Sequence, residues 1–487
     1  VLFIIYIGGI IMEDFARIQS IEIFNFKNVS HGKIVFSEYG KHNENFEQNI
    51  TAIYGQNGSG KTALIDAVSL IRYIILGKSL PRDIGNYIKK GAEKSTISIS
   101  LYIKDSQESS IIDYKVVFGY IENNVVVLDE QIKSKECINN TWGNSTEIIH
   151  YNSERDPFFI SPKYLHKELT GNPENALELG VAKSLSQRVD PDTDVAFSTS
   201  LIFSTAFLKL LEKIKTKSHL RKLLHKVRVF CVNNLLIVDD KTFGGISENI
   251  HAIPIYIKQE IKLKTSIQVT IGAIPIEIYK STRIPSELFP VYKNFVKQMN
   301  VVLPTVIPGI TLKMKGIEEE HLPDGKTQTV FSMVTVRDNR EISLKYESAG
   351  VKKILCILSS LISTFNNANM CLVVDELDSG VFEYLIGQII TVFKEDAKGQ
   401  LIFTSHNLHI LELLDNKSII ITKFRTDNCY GKLSNVQTNN NKRLLYLKQI
   451  ELSDNDEGII YNKTNQYEMS YAFERAYDIS AEGEDSE

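Results

Sequence analysis

Tryptophan occurs once in the 487 residues, proline 12 times and cysteine five times. The cysteines are Cys137, Cys231, Cys356, Cys371 and Cys429, and no two form a C-x-x-C pair. That spacing offers no thiolate pair to a zinc ion and suits a reducing compartment. No stretch reaches the roughly 18 apolar residues of a membrane span. The apolar opening Val1–Ile11 is too short, and it lacks the basic n-region and cleavage pattern of a signal peptide. Met12 follows it and is the expected start; an extra buried strand is the alternative. A cytoplasmic protein with no membrane partner is expected. Positive charge is not in excess either: 55 Lys and Arg against 59 Asp and Glu give a net charge of -4. A generally basic nucleic-acid binder is excluded, and only a local patch is left open. Residues 150–300 hold no sustained heptads, so an insert there is expected to be globular. What remains is ordinary for a globular chain of two or three domains, with 43% hydrophobic and 23% charged residues.

One stretch organises the rest. Gly55-Gln56-Asn57-Gly58-Ser59-Gly60-Lys61-Thr62 fits the phosphate-binding loop G-x-x-x-x-G-K-[ST]. Ile50–Tyr54 before it reads as a short buried strand, and Ala63 onward as a helix reaching about Leu76. Strand, glycine loop and helix are the context that the motif requires. The glycines let main-chain N–H groups turn inward around phosphate oxygens, and the helix N-terminus adds positive potential. Lys61 is expected on the β- and γ-phosphates of ATP, and the Thr62 hydroxyl on Mg²⁺.

Around this unit, 17–26, 35–36, 96–103, 114–120 and 125–132 alternate apolar and polar, which predicts antiparallel strands beside the site, with a turn at Glu122-Asn123-Asn124. From about Ile138 the pattern loosens, with Asn139 and Asn140 in a loop. Residues 197–229 read as helical and carry eight cations: Lys209, Lys213, Lys215, Lys217, Arg221, Lys222, Lys226 and Arg228. They are either the solvated face of an amphipathic helix pair or a surface for phosphates. Residues 259–279 alternate as a strand broken at Gly272 and Pro275. A helix is expected over 285–303, opened by Pro285 and Ser286, then a hairpin from 311–314 to 327–336 with Glu318–Glu320 in its loop. Asp239-Asp240 reads as a strand end. Asn439–Lys442 is expected to be a polar loop, and Ala481–Glu487 an acidic, disordered tail.

Three further stretches are candidates for the same site. Cys371-Leu372-Val373-Val374-Asp375-Glu376 is an apolar run ending in two carboxylates, and it resembles a Walker B strand. Such a run sits in mid-sheet, buried on both faces. Asp375 is then expected at the Mg²⁺ shell, and Glu376 where it can orient or deprotonate the attacking water. Leu401–His406 is a second buried strand with a polar end. Ser348 and Gly350 open a helix over 354–364 and could meet an anion through hydroxyl, N–H and dipole; a plain N-cap is the alternative.

Phosphate loop, Ser-Gly helix start, Walker B with glutamate, the turn Leu377-Asp378-Ser379-Gly380 and the His406 strand occur in that order. The set resembles the ABC-type ATPase heads of the SMC, RecF and OLD-like group. Within that group it is similar to the stand-alone AAA/ABC-hybrid ATPases of bacteria and archaea, many of them found in phage-defence and abortive-infection loci. Ile21–Asn28 is similar to the opening strand of these heads. The resemblance covers about 17–135 and 305–425. It implies an α/β P-loop NTPase fold of ABC-type head, with a mostly parallel central sheet, an antiparallel β subdomain and a helical or mixed insertion. It also implies that His406 senses the γ-phosphate, and that two heads sandwich two ATP molecules, each phosphate loop facing Ser348 and Gly350 of the other copy. The signature departs from Leu-Ser-Gly-Gly-Gln, reading Glu347-Ser348-Ala349-Gly350-Val351. Gln131 is the candidate Q-loop glutamine. The nuclease domain that follows the ATPase in OLD-family proteins is not expected here, because only about 80 residues follow His406.

The expected division is an N-terminal ATPase lobe over 12–137, an insert over 138–304, a C-terminal lobe over 305–430 and an extension over 431–487. The expected function is an Mg²⁺-dependent ATPase that works as a homodimer or higher homo-oligomer and gates an effector encoded nearby, a nuclease or toxin, in antiphage defence. The alternative is a DNA-binding recombination or repair head contacting DNA through 209–228.

Overall fold

The computed structural model describes residues 15–37, 49–104, 108–138, 141–153, 158–189, 196–214, 219–239, 252–263, 266–323, 325–424, 428–433, 441–451, 461 and 465–482. The expectations for Val1–Met12, Asn139, Asn140, Lys215, Lys217, Asp240, Asn439, Asn440 and 483–487 lie outside these residues.

The first elements of the described residues are the hairpin β1 (Phe15–Phe26) and β2 (Val29–Val35). Strand β3 (Ile50–Tyr54) comes next and leads through the glycine loop into α1 (Lys61–Ile75). Strands β4 (Lys94–Lys104), β5 (Ser109–Ile121), β6 (Asn124–Ile138), β7 (Thr141–Trp142), β8 (Thr146–Asn152) and β9 (Phe159–Ile160) complete an antiparallel sheet in the order β2-β1-β4-β5-β6-β8-β9, with β7 on β6. Next come α2 (Lys163–Gly171), α3 (Pro173–Ser186), the short pair β10 (Gln187–Val189) and β11 (Ala196–Ser198), α4 (Thr205–Lys213), α5 (His219–Val229) and β12 (Leu235–Val238). The hairpin β13 (Ala252–Leu263) and β14 (Ser266–Glu277) precedes β15 (Thr282–Pro285), α6 (Phe289–Val306), β16 (Thr311–His321), β17 (Thr327–Arg337) and β18 (Arg340–Ser343). The C-terminal part holds α7 (Ala349–Asn366), β19 (Cys371–Val374), α8 (Glu383–Asp396), β20 (Gln400–Thr404), α9 (Leu408–Leu413), β21 (Ile419–Thr422), β22 (Tyr430–Lys432), α10 (Lys442–Glu451) and α11 (Gln466–Glu482).

The second large sheet has the order β12-β19-β20-β3-β21-β22 and is parallel up to the edge strand β22. Its inner strands are apolar runs because both faces are covered. Alternation in β19 assigns each side chain to a core: Cys371 and Val373 join α1 and the antiparallel sheet, whereas Leu372 and Val374 join α6–α9. Helix α1 thus fills the space between the two sheets. Two polar side chains tie the sheets together. Gln400 pairs with Ile18 as a backbone residue would, accepting its N–H and donating to its carbonyl, both at 2.9 Å. The buried Arg17 guanidinium donates to Asn49 Oδ1 and to the carbonyls of Ala368 and Lys398. Inside the antiparallel sheet, buried Glu130 accepts from Tyr114 Oη (2.7 Å) and from the Leu201 N–H (2.7 Å), fastening the segment before α4 onto β6. Burial pushes the thiols of Cys231, Cys356, Cys371 and Cys429 up to about 12, so they stay protonated and unreactive.

Several expectations are corrected. The segment expected to be an insert, 138–304, contributes β8 and β9 to the antiparallel sheet and β12 to the parallel one. Helix does not begin at Phe197, which lies in β11; Ser204 caps α4 by accepting the Phe207 N–H (3.2 Å). Pro285 ends β15 and the helix begins at Phe289, because Ser286–Leu288 form a 3-10 turn. Gly272 and Pro275 stay in register with Ile257 and Pro254, so β14 is unbroken there. Glu318–Glu320 lie in β16 opposite Val330, Thr329 and Gln328 instead of in a loop. Lys442 starts α10, and Ala481 and Glu482 close α11 instead of opening the tail.

Candidate functional site

Strand β3 is buried along its whole length and ends at the glycine loop. Gly55 has φ 153, and a Cβ there would lie 1.7 Å from Thr422 Oγ1, so no larger residue fits the strand-to-loop turn. The loop is held from several elements. Ser59 Oγ donates to the Gln56 carbonyl (2.6 Å) and meets the Thr422 hydroxyl. The Asn28 amide donates to the Gly58 carbonyl, and Tyr430 Oη to the Gly60 carbonyl (2.8 Å). Helix α1 starts after Gly60 with no side-chain cap, which leaves its first N–H groups to a ligand. Asn57, Gly58 and Thr62 are exposed, whereas Lys61 is buried. Lys61 Nζ donates to the carbonyls of Gly55 (2.9 Å) and Gln56 (3.1 Å).

The phosphate loop and the strand ending in Asp375 and Glu376 come together at one end of the parallel sheet. Burial pushes the Lys61 ammonium below its usual range, and Asp375, Glu376 and Asp378 pull it back up. The strand order explains the meeting: β20 alone separates β3 from β19, so the C-terminal ends of all three point the same way. Asp375 is fully buried. Its N–H donates to the Val238 carbonyl (2.8 Å) and its Oδ1 accepts from the Thr404 hydroxyl. Its Oδ2 is buried with no hydrogen-bond partner. An unpaired buried carboxylate oxygen is costly, and a cation or a water in a cation's shell would satisfy it. With the exposed Thr62 hydroxyl, this donor set fits Mg²⁺: hard oxygen ligands with room left for water and phosphate.

Glu376 comes next in the chain with φ 45, in the left-handed region that non-glycine residues rarely adopt. Its N–H donates to Thr404 Oγ1 (2.7 Å), and its carbonyl accepts the Ser379 N–H (3.0 Å) and the Lys353 ammonium. Thr404 therefore holds both carboxylate residues from the neighbouring strand. The main-chain N–H of His406 donates to Asp378 Oδ2 (3.2 Å). Partial burial, then the Lys61 charge, push its imidazole below the usual range, against the pull of the three carboxylates.

Ser348 is the N-cap of α7, accepting the Val351 N–H at 3.3 Å. Gly350 sits on the loop after Walker B, where a Cβ would come 2.4 Å from the Gly380 carbonyl oxygen. The described contacts of these two residues are thus with α7 and Gly380. Gln131, the Q-loop candidate, donates to Glu147 Oε1 (2.6 Å) on β8 within the antiparallel sheet. On α4 and α5, Leu210, Leu220, Leu223, Leu224 and Val227 are buried, whereas Lys209, Lys213, Arg221 and Lys222 are exposed. Lys213 is paired with Glu178. An open apolar groove of about 800 Å³ lies between α6, α7, α8 and α9; none of its lining residues belongs to the phosphate loop or to Asp375–Gly380.

The motifs did not point to Thr404, Thr422, Tyr430 or Lys353. Only Thr404 carried a signal, as the first polar residue closing the apolar run of β20.

Among known proteins, a family model described as an AAA domain matches residues 20–228, less than half of the chain. No curated protein matches the chain. Among solved structures, an Smc head domain with an extended coiled coil bound to the C-terminal domain of ScpA, from Pyrococcus furiosus, shares 15% identity at a TM-score of 0.38, covering 90% of this chain and 100% of that one. An Smc head domain with a coiled coil and joint from Pyrococcus yayanosii shares 12% at 0.41, covering 90% and 100%. The SMC head domain from Thermotoga maritima shares 14% at 0.31, covering 83% and 94%. These likenesses are loose. The fold is α/β, with a mostly parallel sheet that carries the phosphate-loop motif, an antiparallel sheet, and further helices and strands.

Proposed function

We propose that this chain binds and hydrolyses ATP as an ABC-type head that pairs with a second copy around two nucleotides. The observation that carries the proposal is the unpartnered Oδ2 of Asp375, buried beside a glutamate whose backbone is held left-handed, with both carboxylates acting on Lys61. Main-chain N–H groups of the glycine loop and of the start of α1 would cradle the phosphates, Lys61 would leave its two loop carbonyls for the β- and γ-phosphates, and Thr62 and Asp375 would hold Mg²⁺. That ion, when bound, neutralises charge on the phosphate oxygens. Glu376 would orient and deprotonate the attacking water. His406, neutral and able to donate, would meet the γ-phosphate. Ser348 and Gly350 would serve the nucleotide of the other copy, so that ATP favours the closed pair and hydrolysis releases it.

The output of this cycle is conformational, and in our reading it gates a partner effector, a nuclease or toxin, in antiphage defence. Support for gating is the phosphate loop with the Asp375–Glu376 pair, together with the resemblance to stand-alone ATPases of defence loci. A second reading makes DNA the partner, and the exposed Lys209 and Lys213 on α4 with Arg221 and Lys222 on α5 favour it. Purified protein should hydrolyse ATP. Glu376→Gln should bind ATP without turnover and accumulate as a dimer in sedimentation. A wild-type protein that neither hydrolyses ATP nor changes its association state with nucleotide would overturn the proposal. Salt-dependent DNA binding that is lost on reversing the four cations would move the partner assignment to DNA.

A further inference from the structure

Lys353 lies in the second turn of α7 and is 7% exposed. Its ammonium donates to the main-chain carbonyl of Glu376. A residue held at φ 45 keeps that conformation only where its surroundings over-determine it. Thr404 supplies one constraint from β20 and Ser379 a second from the same loop. Lys353 supplies the third, from a different element. One turn earlier, Gly350 rides on the Gly380 carbonyl with no room for a methyl group. The start of α7 is therefore clamped to the loop Glu376–Gly380 at two points, one at each end of that loop. A shift of the helix start must move the peptide that aims the Glu376 side chain.

We propose that Lys353 is a positioning residue that couples the partner-facing start of α7 to Glu376, so that water activation depends on what Ser348 and Gly350 touch. This inference rests on the ATPase reading above. In the single chain the ammonium already holds the Glu376 peptide in its left-handed state, and a second copy engaging the helix start would keep that donor in place. When the helix start withdraws, the carbonyl loses this donor and the carboxylate loses its aim. A buried ammonium is retained only where it is paired, which fits a residue kept for this contact.

Lys353→Met keeps the methylene packing and removes the donor; Lys353→Arg keeps a donor. With ATP and Mg²⁺, Lys353→Met should lower kcat about tenfold, a fraction of the 10²–10⁴ that a positioned base contributes, with KM unchanged and the ATP-dependent dimer retained. Lys353→Arg should recover part of the rate. A merely structural lysine would lower Tm and raise KM together with the rate loss, and that result overturns the inference. So does wild-type kcat in Lys353→Met. If Lys353→Met does not fold, Lys353→Leu, which also lacks a donor, takes its place in the same comparison. A wild-type protein without ATPase activity sinks the parent reading, whereas an active wild type with an equally active Lys353→Met sinks only this inference.

Discussion

Thr404→Val tests whether one hydroxyl organises the Walker B pair. Thr404 is fully buried at the end of β20, and valine matches its shape and strand preference, so packing is preserved. The hydroxyl does two things: it donates to Asp375 Oδ1 and accepts the Glu376 N–H at 2.7 Å. Removing it leaves Asp375 with both carboxylate oxygens unpaired in the interior, since Oδ2 already lacks a partner. A lost hydrogen bond to a charged group costs roughly 1.5–3 kcal/mol, and an orphaned buried N–H about 1–3 kcal/mol. The two effects share one site and are not fully additive, so the expected loss of unfolding free energy is roughly 2–4 kcal/mol. Urea unfolding without nucleotide measures it. The Glu376 peptide also loses a constraint, so kcat for ATP should fall about 10–100-fold, within the range for a displaced general base. Thr404→Ser keeps the hydroxyl and should stay within roughly 1 kcal/mol of wild type. A Thr404→Val protein as stable and as active as wild type would refute the reasoning outright.

The same geometry sets the outcome of other perturbations. Gly55→Ala places a methyl group 1.7 Å from the Thr422 hydroxyl, so ATP binding measured by calorimetry should be lost; retained affinity would contradict the loop geometry. Gln400→Ala removes both side-chain bonds to Ile18 and leaves a buried N–H and carbonyl unpaired, which should cost about 2–4 kcal/mol in urea unfolding. His406 is depressed below its ordinary 6.5 in the fold, so the unfolded chain takes up its proton first as pH falls. Its share of stability is complete above about pH 6.5 and is lost as pH drops through the folded value. His406→Asn should therefore flatten part of the fall in Tm on acidification; His225, Glu22 and Glu341 are also depressed and keep other parts of it.

The chemistry was legible where it is written locally. Gly55–Thr62 and Cys371–Glu376 are contiguous, and each needs only its own strand to be recognised. Their convergence was an inference across 314 positions, and it depends on β20 pairing between their strands, which no local pattern encodes. Tyr430 and Asn28 hold the loop from far away in sequence, through single contacts available to any tyrosine or asparagine. Strand β12 was visible as an apolar run, yet its place beside β19 was hidden because it lies inside a segment read as an insert. The helix expected from Phe197 failed for a local reason: the hydroxyl of Ser204 competes for the N–H of Phe207 and sets the boundary there. Ser348 is the ambiguous case, since its observed cap to Val351 and its proposed role toward a second copy use the same hydroxyl.

The claim that Lys61 and Asp375 serve one metal-bound triphosphate is tested most directly by a double-mutant cycle on ATP affinity at saturating Mg²⁺, using wild type, Lys61→Met, Asp375→Asn and the double variant. Two groups on one ligand should be coupled by about 1 kcal/mol or more, with the second substitution costing much less once the first is made. Additivity within roughly 0.5 kcal/mol would mean that the amine and the carboxylate act on separate sites, contradicting the account.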